Sequence, residues 1–415
     1  MFKKNRGSGQ HEMFRAGSIF FFGSMSVAIL NYFYHVFMGR LLGPFDYGVL
    51  GSLFAIIYLA TFASNTFTRT ISKYSAEFES KGKKGELKGM IKRGFFKILF
   101  YGLIVFLIYL AFIPLLSDFM NIESRSSMII VGLVGFLSII GTVVSGSLNG
   151  LQKFGWQNFL AFDSALVKFL LALILVYLGF GINGALLGIL IGTSIVILFG
   201  FFPVFKELKG VKSKKFDSKE IYLYAVPVFF ASLLPLLLIT FDQILVKHFF
   251  SSLDAGYYAA AGNIAKIIWF GSGFLVSALF PKVVSLRAQG KKTNKLLVKS
   301  LIYTSFLALI GIAIYFASPR LIVLFVYGKE YMAITSLIGM FGLGLGLFSV
   351  SQIFITYNLA IERYGFIYII FIGFILQVLG MLMFHQNLLE IIKVSLLAEA
   401  FILFGLVIYN WREFN

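Results

Sequence analysis

Long apolar runs separated by short polar breaks follow one another along almost the whole chain. Most contain about twenty residues, and a helix of that length, rising 1.5 Å per residue, crosses a hydrocarbon layer of roughly 30 Å. The runs predict helices at 15–40, 48–68, 95–117, 126–148, 158–180, 183–204, 221–247, 256–281, 299–318, 334–359, 366–386 and 388–409. This pattern predicts an all-α polytopic membrane protein with about twelve transmembrane helices.

Composition and charge agree with that interpretation. The 415 residues are 59% hydrophobic and only 13% charged, against roughly 25% charged in a soluble domain. The net charge of +18 does not indicate nucleic acid as a partner, because the basic residues concentrate in alternate segments. These segments are 3–15, 69–97, 206–219 and 282–299. The asymmetry predicts a multi-pass protein of the cytoplasmic (plasma) membrane with both termini in the cytoplasm.

Two short motifs recur half a chain apart. Gly82-Lys-Lys returns as Gly290-Lys-Lys, and Asp46-Tyr-Gly returns as Asp254-Ala-Gly, both at an offset of 208. An even number of spans per half keeps both halves in one orientation, so we predict two six-helix lobes related by a parallel internal repeat, with a central cleft. The predicted parts are a cytoplasmic tail at 1–14, an N-lobe at 15–205, a basic linker at 206–220 and a C-lobe at 221–415.

Polar residues line one face of each of the first two spans. Asn31 and His35 share a face of span one, while Asn65 and Arg69 lie on one stripe of span two. A polar group in a span is costly unless it faces protein or a wet cavity. Hydrogen bonding between helices and lining of a substrate cavity both fit this pattern.

Three charged residues lie deep within later spans. Lys266 is about ten residues into span eight, roughly 15 Å deep, and Asn263 shares its face. Lys168 is deep in span five, and Glu399 lies at similar depth in span twelve. We count all four residues as candidates for lining a cavity. A structural ion pair between Lys266 and Glu399 is the alternative.

Span seven has two further features. Pro227 and Pro235 interrupt it and predict a bend or a break. Asp242, Gln243 and Lys247 follow near its outer end, where polar side chains are expected to extend towards the headgroups.

Small residues and histidines indicate packing rather than chemistry. Gly184, Gly188 and Gly192 recur every four residues in span six, which predicts close helix packing. The four histidines are dispersed without metal-ligand spacing, and the sequence has no cysteine. We therefore predict no catalytic site, metal or cofactor, and leave a coupling ion open.

Three segments carry a family resemblance. Residues 38–51, MGRLLGPFDYGVLG, resemble the signature that follows the first span of polysaccharide-type flippases, members of the multidrug, oligosaccharidyl-lipid and polysaccharide exporter superfamily. Residues 65–74, NTFTRTISKY, look like the end of their second span, and 254–258, DAGYY, resemble the echo of the signature in the second half.

The resemblance implies a V-shaped pair of lobes that opens alternately to either side. Such a protein flips a lipid-linked oligosaccharide, on a polyprenyl phosphate or pyrophosphate, for surface polysaccharide synthesis, and acts as a monomer among membrane lipids. Cationic residues in the cleft would meet the anionic linkage, and Arg15, Arg69 and Lys266 match that need. The alternatives are an ion-coupled multidrug exporter of the same superfamily and a non-transporting membrane component of envelope synthesis.

Overall fold

The computed structural model describes residues 6–214, 229 and 233–413, and within these ranges it contains helices and turns but no strand. The predicted all-α fold is therefore confirmed. Helices carry this fold because a backbone in hydrocarbon must satisfy its own hydrogen bonds. The α-helices, in chain order, are α1 (Arg6–Ser80), α2 (Lys84–Phe119), α3 (Arg125–Gly150), α4 (Phe154–Leu175), α5 (Gly181–Glu207), α6 (Phe241–Phe249), α7 (Ser252–Ala288), α8 (Asn294–Ala317), α9 (Pro319–Val326), α10 (Ile338–Ala360), α11 (Phe366–Met383) and α12 (Leu388–Tyr409).

Eight helical segments of the described ranges are long and apolar enough to cross a membrane. Two of them, Gly23–Ser80 and Phe154–Glu207, each hold two predicted spans. The first pair is divided at Gly43, which is followed by Pro44. The φ of Gly43 is 71°, outside the helical region. The second pair is divided at Gly179 and Gly181, which also have positive φ. Pro235 lies within helical residues 233–238, which end in a turn at 239–240 before α6; Pro227 and the turn before Pro235 lie outside the described residues.

The chain forms two compact units. Unit 1 comprises Met1–Leu42 and Ile56–Phe229, and unit 2 comprises Gly43–Ala55 and Phe230–Asn415. The first part of predicted span two thus belongs to unit 2, while the rest of that span belongs to unit 1. In unit 1 an apolar core joins α1 to α2, α3, α4 and α5 around Val144 and Leu148. In unit 2 a second core lies around Ile353, Phe366 and Leu406, which are fully or almost fully buried.

Helices α2 and α8 present most of their apolar residues to the outside of their units. Only 11% of the apolar window of α2 and 22% of that of α8 is buried. Exposed side chains such as Phe100 and Phe306 would be unfavourable in water. In a bilayer they face lipid tails, which are as apolar as the side chains.

Helix ends recur in equivalent places of the two halves. Gly82 follows α1 and Gly290 follows α7, with φ of 66° and 68°. Lys83 N donates to Phe78 O at 2.8 Å, as Lys291 N donates to Leu286 O at 3.0 Å. These are the bonds of a Schellman cap, which favours glycine because the capping residue is left-handed. The offset of 208 therefore marks a repeated structure as well as a repeated motif.

An ion pair also recurs within each unit. Lys153 Nζ lies 2.8 Å from Glu207 Oε2 in unit 1, and Arg363 Nη1 lies 3.2 Å from Glu413 Oε1 in unit 2. In each case the cation follows the cap of one helix and the glutamate lies where the last helix of that half ends. These separate contacts agree with the parallel internal repeat.

Candidate functional site

Unit 1 holds a polar cluster deep among apolar helices. Lys168 lies fourteen residues after Phe154, the start of α4, and therefore about 21 Å along the axis. Its ammonium donates a hydrogen bond to Asn31 Oδ1 and lies 4.8 Å from the centroid of the Tyr34 ring. Tyr34 OH in turn donates to the carbonyl oxygen of Ala185 at 2.9 Å. A cation is thus held by neutral groups, through a hydrogen bond and a cation–π contact.

The same face of α1 carries a second polar contact. His35 Nε2 lies 3.1 Å from Tyr58 OH, which joins the two arms of α1 across their kink. Asn31 and His35 are therefore both placed in hydrogen bonds between helical segments, as the stripe in span one indicated. Their role as a substrate-lining stripe remains a prediction.

Glycines allow the helix that carries Lys168 to approach its neighbour closely. A β-carbon added to Gly188 would lie 2.7 Å from the Lys168 carbonyl oxygen, and one added to Gly192 would lie 3.0 Å from Lys168 Cβ. One added to Gly184 would lie 3.0 Å from the backbone of Leu175. The close packing predicted for these three glycines is confirmed. It places the backbone of α5 directly against the Lys168 turn.

Arg69, the other described candidate of unit 1, does not join this cluster. Arg69 is exposed on α1, eleven residues and so about 16 Å along the helix from Tyr58. The side chains of Arg15 and Asn65 lie outside the described part of the structure. Thr61, in the same span, donates to the carbonyl oxygen of Tyr58, 3.2 Å away on its own helix.

Unit 2 contains a buried acidic residue that the sequence analysis placed wrongly at a polar surface. Asp242 is only 9% exposed, and its carboxylate accepts hydrogen bonds from Tyr258 OH at 2.7 Å and from Gln243 N at 2.8 Å. Lys247 is 1% exposed. The prediction that these residues extend towards the headgroups is therefore wrong. The break at 239–240 supplies the reason, because α6 starts there and packs its polar residues inward.

Asp242 is the centre of the charges in unit 2. It interacts electrostatically with Lys266, an opposite charge, and with Glu399, a like charge. Glu399 is 5% exposed, and its Oε2 has no hydrogen-bond partner in the described part of the chain. The sequence suggested Lys266 and Glu399 as partners. Both residues interact electrostatically with Asp242, which was not among the candidate site residues. The signal for Asp242 was its position seven residues after Pro235, next to the break.

Asn263 has a different neighbourhood from Lys266. Asn263 Nδ2 donates to Tyr47 OH at 2.5 Å, and that oxygen lies 3.2 Å from Tyr327 OH. The Tyr331 ring packs against both tyrosines, with centroid distances of 6.4 Å to Tyr47 and 4.9 Å to Tyr327. Tyr47 belongs to the family signature at 38–51, so the motif forms part of an aromatic cluster in unit 2.

The two clusters bring together charged, amide and phenol side chains. Among the described residues no group of three or more His, Asp or Glu could hold a metal ion. Each unit offers a deep lysine, and unit 2 adds two buried carboxyl groups. Such intramembrane ionisable groups mark ion or substrate pathways in polytopic proteins.

Comparison with known proteins identifies the class and then the family. The fold is that of the transporters of the MOP superfamily. It matches an inward-facing multidrug resistance MATE family transporter with a TM-score of 0.77, at 15% identity over 93% of this chain and 95% of that one. It also matches the lipid II flippase MurJ in an inward closed conformation with a TM-score of 0.71, at 17% identity over 95% of this chain and 88% of that one.

A third match is a MOP superfamily transporter from Pyrococcus furiosus, described as having a binding pocket of reverse polarity. Its TM-score is 0.60, at 17% identity over 97% of this chain and 96% of that one. The sequence profile of the family described as polysaccharide biosynthesis protein matches residues 14–287. The chain belongs to that family, so the resemblance drawn from its motifs is confirmed. A search of curated protein sequences found no match.

Proposed function

We propose that this protein flips a lipid-linked oligosaccharide or polysaccharide precursor across the cytoplasmic membrane. The lipid would be a polyprenyl phosphate or pyrophosphate, and the movement would follow alternating access without a chemical step. The observation that carries the proposal is the family match over residues 14–287, the family of polysaccharide biosynthesis proteins. The likeness to the lipid II flippase supports it at the level of fold.

The cationic residues of the spans give the proposal its chemistry. The substrate linkage carries negative charge, and Lys168 offers a deep ammonium whose observed partners, Asn31 and Tyr34, are neutral. A phosphate would pair with this cation more strongly in a partly dehydrated cavity than in water. Arg15, Arg69 and Lys266 would supply further cations at other depths, and Asn65 and Asn263 would supply amide groups.

The proposed topology follows from the basic loops. The loops at Lys83 and Lys291 and both termini would be cytoplasmic, while Asp46 and Asp254 would face outside. The protein would work as a monomer, because each chain already contains both lobes. Thiol labelling of single cysteines placed in this naturally cysteine-free chain tests the topology. Labelling of a cysteine at position 83 from outside intact cells would contradict it.

An ion-coupled multidrug exporter is the second candidate. Asp242 and Glu399 favour it, because two buried carboxyl groups in one unit suit an organic cation or a coupling ion. The MATE transporters of similar fold are drug exporters by name. In this candidate the lysines of the spans would repel the substrate.

Ligand-induced stabilisation separates the two candidates. We expect a polyprenyl-pyrophosphate oligosaccharide to raise the melting temperature of the detergent-purified protein, since a ligand that binds only the folded state stabilises it. Lys168→Gln should reduce that shift, whereas the exposed Lys209→Gln should preserve it. Stabilisation by an organic cation such as ethidium, with none by the lipid-linked oligosaccharide, would favour the exporter.

A further inference from the structure

A pocket of about 310 Å³ lies in unit 1, at the basic end of α4 and α5. It lies apart from the Lys168 cluster, which is about 21 Å further along α4. Six residues line it: Lys153, Trp156, Phe202, Pro203, Lys206 and Glu207. The pocket thus combines two lysines, one glutamate and two large aromatic rings.

The glutamate of the pocket is neutralised within the protein. Glu207 Oε2 lies 2.8 Å from Lys153 Nζ, and its other oxygen lies 3.0 Å from Lys84 Nζ. Lys84 also lies 3.5 Å from Glu79, so these two lysines and two glutamates balance, and Lys206 adds one positive charge. Lys206 is exposed, and within the described ranges it has no hydrogen bond or ion pair. The pocket is therefore positive and has an ammonium group available for an anion.

An apolar surface continues from the pocket along the helices. On α4, Trp156 is followed one turn deeper by Phe159, with ring centroids 6.2 Å apart. On α5, Phe202 is preceded one turn deeper by Phe199. Phe159, Phe199 and Phe202 are each about 60% exposed. A ligand that fills the pocket and follows this surface needs an anionic head and an apolar tail.

Trp156 indicates the depth at which the pocket lies in a bilayer. Tryptophan prefers the boundary between headgroups and acyl chains, and lysines next to it attract anionic lipids. Trp156 is 43% exposed and lies where the predicted cytoplasmic loops meet the apolar runs. The pocket is therefore at headgroup depth, with its apolar surface at acyl-chain depth.

We propose that this pocket binds the phosphate of an anionic phospholipid, whose acyl chain lies along Phe159, Phe199 and Phe202. Lys206 and Lys153 contact the phosphate, and Trp156 packs against the glycerol region. Glu207 positions the Lys153 ammonium and does not contact the lipid. The pocket is independent of the proposed transport function.

Quenching of Trp156 tests the site directly. The chain has three tryptophans, so Trp269→Phe with Trp411→Phe leaves Trp156 as the single reporter. In this background, brominated phosphatidylglycerol should quench Trp156 at about one fifth of the concentration that brominated phosphatidylcholine needs. Lys206→Gln should remove most of that roughly fivefold preference, the effect expected of one basic residue near an anionic surface. Lys209→Gln, an exposed lysine of the same segment that does not line the pocket, should leave the preference unchanged.

Three outcomes would overturn the proposal. The first is equal quenching by the two lipids, and the second is an unchanged preference in Lys206→Gln. The third is recovery of fluorescence on addition of millimolar inorganic phosphate, which would make free phosphate the ligand. Native mass spectrometry of the chain with its natural tryptophans provides a second measurement if the reporter variant folds poorly. It should retain phosphatidylglycerol on the parent and on Lys209→Gln, and lose it from Lys206→Gln.

Discussion

Gly48 and Gly256, which are 208 residues apart in the chain, pack directly against each other within unit 2. A β-carbon added to Gly48 would lie 2.6 Å from Gly256 N and would overlap the carbonyl oxygen of Ser252. One added to Gly256 would lie 3.1 Å from Gly48 N and would overlap the carbonyl oxygen of Pro44. The contact is reciprocal, because Pro44 and Ser252 are also separated by 208.

The next turn repeats this arrangement. A β-carbon on Gly51 would lie 2.8 Å from Cβ of Ala259, its counterpart at the same offset. Equivalent residues of the segment 43–55 and of α7 therefore meet on successive turns, so the two segments run in the same direction. An inverted repeat would bring such counterparts together at one crossing only. The contact thus agrees with a repeat axis along the helices.

Alanine at Gly48 or Gly256 should destabilise the protein. The added methyl group meets backbone atoms, which cannot rotate away, so we expect a loss of about 1–3 kcal/mol in unfolding free energy. Thermal unfolding in detergent measures it. Gly344→Ala is the matched control, because this helical glycine of α10 has nothing within 4 Å of the added carbon. There alanine should be neutral or stabilising, by up to about 1 kcal/mol. Equal melting temperatures for Gly48→Ala and Gly344→Ala would contradict the contact.

Gly82→Ala and Gly290→Ala should each cost about 1 kcal/mol. Neither added methyl group has a neighbour within 4 Å, so only the left-handed φ of 66° or 68° opposes alanine. Because the two caps are equivalent, the two losses should agree within about 0.5 kcal/mol. Denaturant or thermal unfolding of both variants provides the comparison. A large loss at one site and none at the other would show that the two caps are not equivalent.

The Glu207 ion pairs should make stability depend on pH in the acid range. Glu207 lies three residues beyond the apolar run that ends at 204. Hydrogen bonds from Lys153 and Lys84 lower its pKa from 4.5 to about 2. A carboxyl group whose pKa is lowered by folding stabilises the protein above the unfolded value, and that contribution is lost as the pH falls from about 4.5 to 2.

Glu207→Gln is therefore expected to lower the melting temperature at pH 7. This gap, the difference in melting temperature between the parent and the variant, should narrow as the pH falls from about 4.5 to 2. Melting curves across that range in one detergent make the measurement. A gap that stays constant down to about pH 2 would show that these ion pairs do not stabilise the fold through the Glu207 charge.

Lys266 and Lys168 should respond differently to neutralisation. Lys266→Gln leaves the buried Asp242 without its neighbouring positive charge, so it should lower stability, and the double variant with Asp242→Asn should recover most of the loss. Lys168→Gln should cost less, because its partners Asn31 and Tyr34 are neutral and no unpaired charge is left behind. Double-mutant cycles by thermal unfolding distinguish the two. Additive losses for Lys266 and Asp242 would mean that these residues do not interact.

The positions of the helices follow from the apolar runs, because a span must be long and apolar whatever its neighbours are. The burial of Asp242 could not be foreseen in this way. Its carboxylate is stabilised by Tyr258, sixteen residues later in another helix, and hydropathy does not record which residues meet in space. Asn263 illustrates the same limit, since it shares a helix face with Lys266 but donates to Tyr47, 216 residues away.

Unit 2 also departs from a simple alternation of spans and loops. Between spans nine and ten the chain forms α9 and a 3-10 helix, Lys329–Ser336, where the sequence indicated only a loop. Tyr327 and Tyr331 of this region are buried against Tyr47. Their aromatic rings gave a local signal for burial, but the signal did not identify the partner.

Transbilayer movement of a fluorescent polyprenyl-pyrophosphate oligosaccharide in liposomes tests the central claim most directly. Label that reaches the outer leaflet is bleached by an impermeant reductant, so the bleached fraction reports flipping. We predict that labelled lipid from the inner leaflet becomes exposed to the reductant much faster in liposomes with the parent protein than in empty liposomes. Lys168→Gln should slow this exposure by about tenfold, the effect of losing a charged hydrogen bond worth roughly 1.5 kcal/mol. Lys209→Gln should match the parent. Exposure no faster than in empty liposomes, from protein that is folded and correctly inserted, would contradict the account.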